Sequence, residues 1–88
     1  MSKTIEKRIL QQYFELILSG QKTYELRLAD WECLPGDILR LVEIDDETKE
    51  PTGRVTQKTV GYVGKTKELD FWSKDEIDVH GYQIISLL

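Results

Sequence analysis

The sequence predicts a small α+β domain, mostly β, with about five or six strands and one or two short helices in a closed or nearly closed barrel. Three observations lead to this prediction. Apolar residues recur in runs of strand length, one segment has helical spacing, and turn residues separate the runs. Because the chain has 88 residues, we expect a single domain spanning residues 1–88.

The first part of the chain predicts a strand, a helix and a second strand. Ile5–Leu10 mixes apolar and charged residues and is expected to form an N-terminal strand. Gln11–Ser19 has apolar residues three and four positions apart, which predicts a short helix that Gly20 ends. Lys22–Leu28 alternates polar and apolar residues, as a strand with one buried face does.

The second part of the chain predicts three more strands. Pro35-Gly36 marks a tight turn, and the strand Ile38–Ile44 follows it. The acidic segment Asp45–Pro51 is expected to be a solvated hairpin tip before a long, bent strand, Gly53–Val63. The apolar run in Tyr82–Leu88 predicts a buried last strand that pairs with the N-terminal strand.

The charged segment Lys65–His80 predicts no regular element along its whole length. Phe71 and Trp72 form an apolar pair within it, which we expect to anchor a loop or short helix against the barrel. If these two aromatic side chains were exposed instead, they would indicate a protein partner. His80 is expected to be structural or to face solvent.

The net charge of −4 argues against proteins that hold nucleic acid mainly through its phosphates, because these are usually basic. A single nucleoside or nucleotide suits this charge better than a polymer. The one cysteine, Cys33, and the one histidine leave too few ligands for a structural zinc, and we expect no metal and no cofactor. The charged N-terminal segment and the lack of a long apolar run predict a cytoplasmic protein without membrane association.

Polar chemistry concentrates in the stretch Gly20–Arg27. Thr23, Glu25 and Arg27 share one strand face, and Lys22 stands at its entrance. An ordinary half-exposed strand with a solvated Glu25–Arg27 pair accounts for this pattern. The stretch also resembles the signature of the ASCH superfamily, which comprises small β-barrel domains related to the PUA domain.

The resemblance extends from about residue 9 to residue 87 and is closest to a prokaryotic and phage subfamily of unknown function. Leu28 and Trp31 depart from the pattern, since relatives carry a basic or amide residue and an arginine at these places. Further matching stretches are Tyr13-Phe14-Glu15, Pro35-Gly36-Asp37-Ile38-Leu39, Thr52-Gly53-Arg54 and Gly81-Tyr82.

The ASCH and PUA resemblance implies a non-catalytic module that binds RNA, a nucleotide or a nucleoside in a polar cleft. In this interpretation Arg27 holds a carboxylate or phosphate, and Glu25 accepts a hydrogen bond from a base. Trp31 either stacks on a base or covers the open end of the barrel. The predicted ligand-binding residues are Lys22, Thr23, Glu25, Arg27 and Trp31.

Two alternatives remain at this point. ASCH relatives include amidohydrolases that deacetylate modified cytidine, and Lys22 matches their catalytic lysine. Glu25 stands where those enzymes have a catalytic threonine, and Glu68 and Glu76 are candidates by order alone for a more distant glutamate. An enzyme is therefore the less favoured interpretation. The other alternative is a small protein-interaction domain without a small ligand.

Overall fold

The computed structural model describes residues 2–88, except for the side chain of Glu68. Within this range the chain forms an α+β domain with one three-stranded sheet, two α-helices and a single 3-10 turn. The elements are β1 (Thr4–Leu10), α1 (Gln11–Leu18), β2 (Ile38–Ile44), β3 (Pro51–Thr59), the 3-10 turn (Thr66–Glu68) and α2 (Lys74–His80).

The sheet has the strand order β1-β2-β3. β1 and β2 are parallel, with Ile5 opposite Leu39 and Ile9 opposite Glu43. β2 and β3 are antiparallel, with Leu39 opposite Lys58. Parallel neighbours need a crossover connection, and α1 begins that crossover directly after β1.

The core lies between α1 and one face of the sheet. Phe14 and Ile17 stand three positions apart on the helix and are buried together with alternate strand residues. This confirms the helix predicted over Gln11–Ser19, which ends at Leu18, and the strand predicted over Ile38–Ile44. The buried apolar residues are Ile9, Phe14, Ile17, Leu39 and Leu41.

Two aspartates hold the turns on either side of β2. The Asp37 carboxylate accepts hydrogen bonds from the amides of Leu34 (2.8 Å) and Lys3 (3.1 Å), which lower the pKa of Asp37. The Asp45 carboxylate accepts the amides of Thr48 (2.9 Å) and Glu47 (2.8 Å) at the hairpin tip, and these bonds lower its pKa. The predicted Pro35-Gly36 turn and Asp45–Pro51 hairpin tip are therefore present.

A buried carboxylate ties the hairpin to α1. Glu43 is 1 % exposed and accepts hydrogen bonds from Arg54 Nε (2.9 Å), Arg54 Nη2 (2.6 Å) and the Thr52 hydroxyl. Arg54 also pairs with Glu15 on α1 and lies over the Phe14 ring, 5.0 Å from its centroid. The Arg54 guanidinium holds the pKa of Glu43 below its ordinary value, although burial opposes this effect.

The predicted closed or nearly closed barrel is not found, and its five or six strands are not confirmed. The structure has three strands in residues 2–88 and the sheet is open, with β1 and β3 at its edges. Lys22–Leu28 and Tyr82–Leu88 are not strands. β1 pairs with β2 instead of with the end of the chain, and neither segment has a strand partner among the described residues.

The strand predicted over Gly53–Val63 is shifted: β3 begins at Pro51 and ends at Thr59. Phe71 and Trp72 were expected to anchor a loop or short helix against the barrel, but the contact seen beyond this pair is that of Trp72 with Tyr82, whose ring centroids lie 6.2 Å apart. The Phe71 and Trp72 side chains are 75 % and 53 % exposed and pack edge-on against each other, with ring centroids 5.8 Å apart. They precede α2, whose last residue is the exposed His80.

Within residues 2–88, no helix combines the length and the apolar character needed to cross a membrane.

Candidate binding cleft

A cleft of about 420 Å³ opens on the helix-covered side of the sheet, beyond the end of α1. Leu39 and Leu41 of β2 and Ile17 of α1 form its apolar base. One wall comes from the chain between Gly20 and Cys33, and the other from Lys58–Lys65. The structure places all five predicted site residues on this cleft: Lys22, Thr23, Glu25, Arg27 and Trp31.

Glu25 is at the centre of an ion-pair cluster in the first wall. Its Oε2 accepts a hydrogen bond from Arg27 Nε at 2.8 Å, and its Oε1 lies 3.6 Å from Lys22 Nζ. Arg27 Nη2 also donates to the Arg8 carbonyl at 2.7 Å, which fixes the segment to β1. The Lys22, Glu25 and Arg27 side chains are only 15 %, 16 % and 28 % exposed. The cluster is therefore held in a largely desolvated position.

The two faces of this segment are reversed relative to the prediction. A strand with one buried face over Lys22–Leu28 implies that its apolar residues Tyr24, Leu26 and Leu28 face a core, but Leu26 and Leu28 are 67 % and 79 % exposed. The polar side chains point inward because their partners lie there: the carboxylate between two cations, and the guanidinium at a backbone carbonyl. Polar contacts, rather than apolar packing, fix this stretch.

One oxygen of the cluster is not fully paired. Glu25 Oε1 is buried and has no hydrogen-bond donor among the described residues. Its nearest cation, Lys22 Nζ, also lies over the rings of Tyr13 (4.5 Å) and Tyr24 (5.2 Å). Lys22 is thus shared between a carboxylate and two aromatic rings, which leaves Glu25 Oε1 without a close hydrogen-bond donor.

Trp31 occupies a different position from that of an open stacking platform. Its ring is half-buried against the core, and the Lys7 ammonium covers it at 4.1 Å from the centroid. Thr23 is exposed at the rim. Of the predicted site residues, Lys22, Glu25 and Arg27 contact one another, whereas Thr23 and Trp31 share the cleft without joining the cluster.

The prediction missed the second wall. Lys58 lies on β3, Tyr62 is 94 % exposed, and Lys65 pairs with Glu32 at 3.4 Å. These residues reach the cleft through the pairing of β2 with β3, which places Lys58 opposite Leu39. The signal in the sequence was weak, since isolated lysines on a polar strand usually indicate a solvated face.

A second cleft of about 690 Å³ shares Lys22, Tyr24, Glu25 and Arg27 with the first. Its lining includes Tyr13 and Leu16 of α1. The ion-pair cluster therefore lines both clefts.

The structure offers limited support for a catalytic or metal centre. In the described part of the chain, no group of three or more His, Cys, Asp or Glu side chains could hold a metal ion. Glu76, one candidate for a distant catalytic glutamate, caps α2 through Ser73, whose amide donates to Glu76 Oε1 at 3.3 Å. The side chain of Glu68, the other candidate, lies outside the described part of the structure.

The chain was compared with known proteins at the level of families, curated proteins and solved structures. No curated protein and no solved structure matches it. A family model described as a domain of unknown function (DUF3850) matches residues 5–82, which include both α-helices and, apart from Thr4, all three strands. The chain therefore belongs to the DUF3850 family.

Proposed function

We propose that this domain is a non-catalytic binding module for a nucleobase-containing ligand, namely RNA, a nucleotide or a nucleoside. The observation that carries the proposal is the cleft, where a half-buried ion-pair cluster, aromatic side chains and additional lysines line one cavity. Its volume of about 420 Å³ is in the range of small-molecule sites, roughly 300–1,000 Å³. The similarity of Gly20–Arg27 to the ASCH signature supports the same function.

Each part of the cleft suits one part of such a ligand. Glu25 Oε1 is an acceptor for an amino group of a base. Tyr62 and Tyr24 offer aromatic surface at the opening. The lining holds four cationic side chains against one carboxylate, although the whole chain has a net charge of −4. A local excess of positive charge on an acidic protein favours a small anionic ligand at this place.

The test is a titration of the ¹⁵N-labelled protein with nucleosides, mononucleotides and a short single-stranded RNA, followed by amide chemical shifts. We expect the shifts caused by one ligand class to cluster on the two walls of the cleft. Glu25→Gln should weaken that binding at least about tenfold, since it removes a charge-assisted hydrogen bond.

Glu6→Gln is the matched control. Glu6 also forms an ion pair, with Arg40 at 3.0 Å, but it lies on the sheet face away from the cleft. Equal losses in the two variants, or no shift with any ligand while the fold is intact, would refute the proposal.

An amidohydrolase is a second candidate, because the Lys22 ammonium and the Glu25 carboxylate lie 3.6 Å apart in a largely desolvated position. Such a pair can act in general acid–base catalysis. Adding N4-acetylcytidine to the titration tests this function directly. Release of acetate that Lys22→Met abolishes would favour the enzyme, and unchanged acetylcytidine after prolonged incubation would exclude this reaction.

A protein-interaction domain is a third candidate, favoured by the exposure of Phe71 and Trp72. This function predicts that Trp72→Ser leaves ligand titrations unchanged and alters self-association measured by sedimentation. If the domain acts only by binding a ligand in the cleft, Trp72→Ser should change neither the ligand titration nor the sedimentation behaviour.

A further inference from the structure

We propose that the ligand of the cleft is a mononucleotide whose phosphate binds Lys58. The inference rests on the binding function proposed above and narrows it from three ligand classes to one. It assigns the two walls of the cleft different roles, with the base near Glu25 and the phosphate at β3.

The pairing of the cationic side chains singles out Lys58. The lining contains Lys22, Arg27, Lys58 and Lys65. Lys22 and Arg27 both pair with Glu25, at 3.6 Å and 2.8 Å, and Lys65 pairs with Glu32 at 3.4 Å. Among the side chains that the structure describes, Lys58 has no such carboxylate partner and is exposed. An unpaired ammonium on the wall of a cleft is suited to bind a phosphate as a point charge.

The two walls stand at opposite edges of the sheet. Arg27 binds the Arg8 carbonyl of β1, whereas Lys58 belongs to β3, and β2 lies between these strands. Two strand spacings separate the edges by roughly 10 Å. A base alone does not bridge such walls, but a base with its ribose and phosphate has the required extent.

The size and charge of the site favour one nucleotide over a polymer. A cleft of about 420 Å³ is in the lower part of the range of ligand pockets, whereas single-strand binding grooves follow roughly 4–16 nucleotides. The net charge of −4 repels a long polyanion and has a smaller effect on a single phosphate.

The experiment compares each nucleoside with its 5′-monophosphate on wild-type protein and on Lys58→Met, with inorganic phosphate and a short single-stranded RNA as further probes. Methionine keeps an unbranched apolar stem and removes the charge. We expect the monophosphate of at least one base to bind about tenfold or more tightly than its nucleoside. Lys58→Met should abolish this difference, whereas Lys58→Arg should retain it.

Lys74→Met is the control for long-range electrostatics, because it also removes one positive charge but lies on α2, where Lys74 pairs with Asp78 at 2.8 Å. Several results would overturn the inference and leave the binding function standing. These are equal affinity for nucleoside and monophosphate, an undiminished preference in Lys58→Met, or tighter binding of the RNA. Equal affinity for inorganic phosphate and for the monophosphate would show that the cleft is a simple anion site, which would also overturn the inference. Binding of none of the probes would refute both the inference and the proposed function.

Discussion

The buried Glu43 carboxylate allows a sharp test of how the hairpin is held to α1. Glu43→Gln keeps the shape of the side chain but replaces the charged carboxylate, which accepts hydrogen bonds from Arg54 and Thr52, with a neutral amide. A hydrogen bond to a charged group stabilises a protein by about 1.5–3 kcal/mol, and we expect a loss of about 2 kcal/mol at pH 7. For a domain of 60–100 residues, this corresponds to a melting temperature lower by roughly 8–16 °C.

The effect should depend on pH in a defined direction. Because Arg54 lowers the pKa of Glu43 below its ordinary value of 4.5, the stabilisation is complete above pH 4.5 and is lost as the pH falls through the lowered pKa. Wild type and Glu43→Gln should therefore differ at pH 7 and converge in strong acid. The measurement is urea unfolding, followed by tryptophan fluorescence at several pH values. Glu47→Gln, at the exposed hairpin tip, is the control. Equal stability of the two variants at pH 7, or a difference that does not shrink in acid, would refute this reasoning.

Three further substitutions test other parts of the fold. Asp37→Asn should lower the urea midpoint of unfolding at pH 7. It should also flatten the loss of stability in acid, because the stabilisation from the Asp37 carboxylate, whose pKa is lowered, disappears as the pH falls below about 3.8. An unchanged acid profile would contradict this. Phe14→Ala should cost about 3–5 kcal/mol in urea unfolding, since Phe14 is 1 % exposed in the core; a loss below 1 kcal/mol would show that the site is not tightly packed. Gly53→Ala should lower the free energy of unfolding by about 1–2 kcal/mol. The cause would be backbone strain alone, because Gly53 has φ 99° and no atom lies within 4 Å of an added Cβ. An unchanged free energy of unfolding would contradict that backbone conformation.

Local patterns in the sequence predicted the elements whose structure depends on local interactions. The helix after Leu10 and the strand Ile38–Ile44 are found within one residue of the predicted bounds because periodicity alone defines their buried faces. Asp37 binds the turn amide of Leu34, as short-range turn chemistry predicts. The α+β class could therefore be predicted from the sequence.

Features that depend on non-local pairing could not be predicted. Alternation in Lys22–Leu28 is typical of a strand, but a strand also needs a partner, and β2 pairs with β1 and β3 on its two edges. The same limit applies to Arg54, whose partners Glu43 and Glu15 come from β2 and α1. For the cleft, the first wall could be predicted because it is one continuous stretch. The second wall depends on the register of β3, which places Lys58 opposite Leu39, so the sequence gave only a weak signal for it.

The cluster of Lys22, Glu25 and Arg27 combines a structural and a functional role, and its geometry separates the two. Arg27 binds both Glu25 Oε2 and the Arg8 carbonyl, so its removal leaves two acceptors unpaired and releases the segment from β1. Glu25 contributes less than Arg27 to the stability of the fold. One of its carboxylate oxygens is buried without a hydrogen-bond donor, and the Lys22 ammonium, 3.6 Å away, only partly offsets the cost of removing that oxygen from water.

Oε2 of Glu25 is paired with Arg27 at 2.8 Å, whereas Oε1 has room for a ligand donor that completes its hydrogen bonding. We expect Arg27→Ala to lower the unfolding midpoint clearly, and Glu25→Gln, which keeps an acceptor oxygen for Arg27, to lower it less while weakening ligand binding. Urea unfolding and the titration, performed on the same two variants, measure both effects. If Glu25→Gln destabilised the domain as much as Arg27→Ala, the cluster would be a structural anchor, and the cleft would lose its main candidate for ligand recognition.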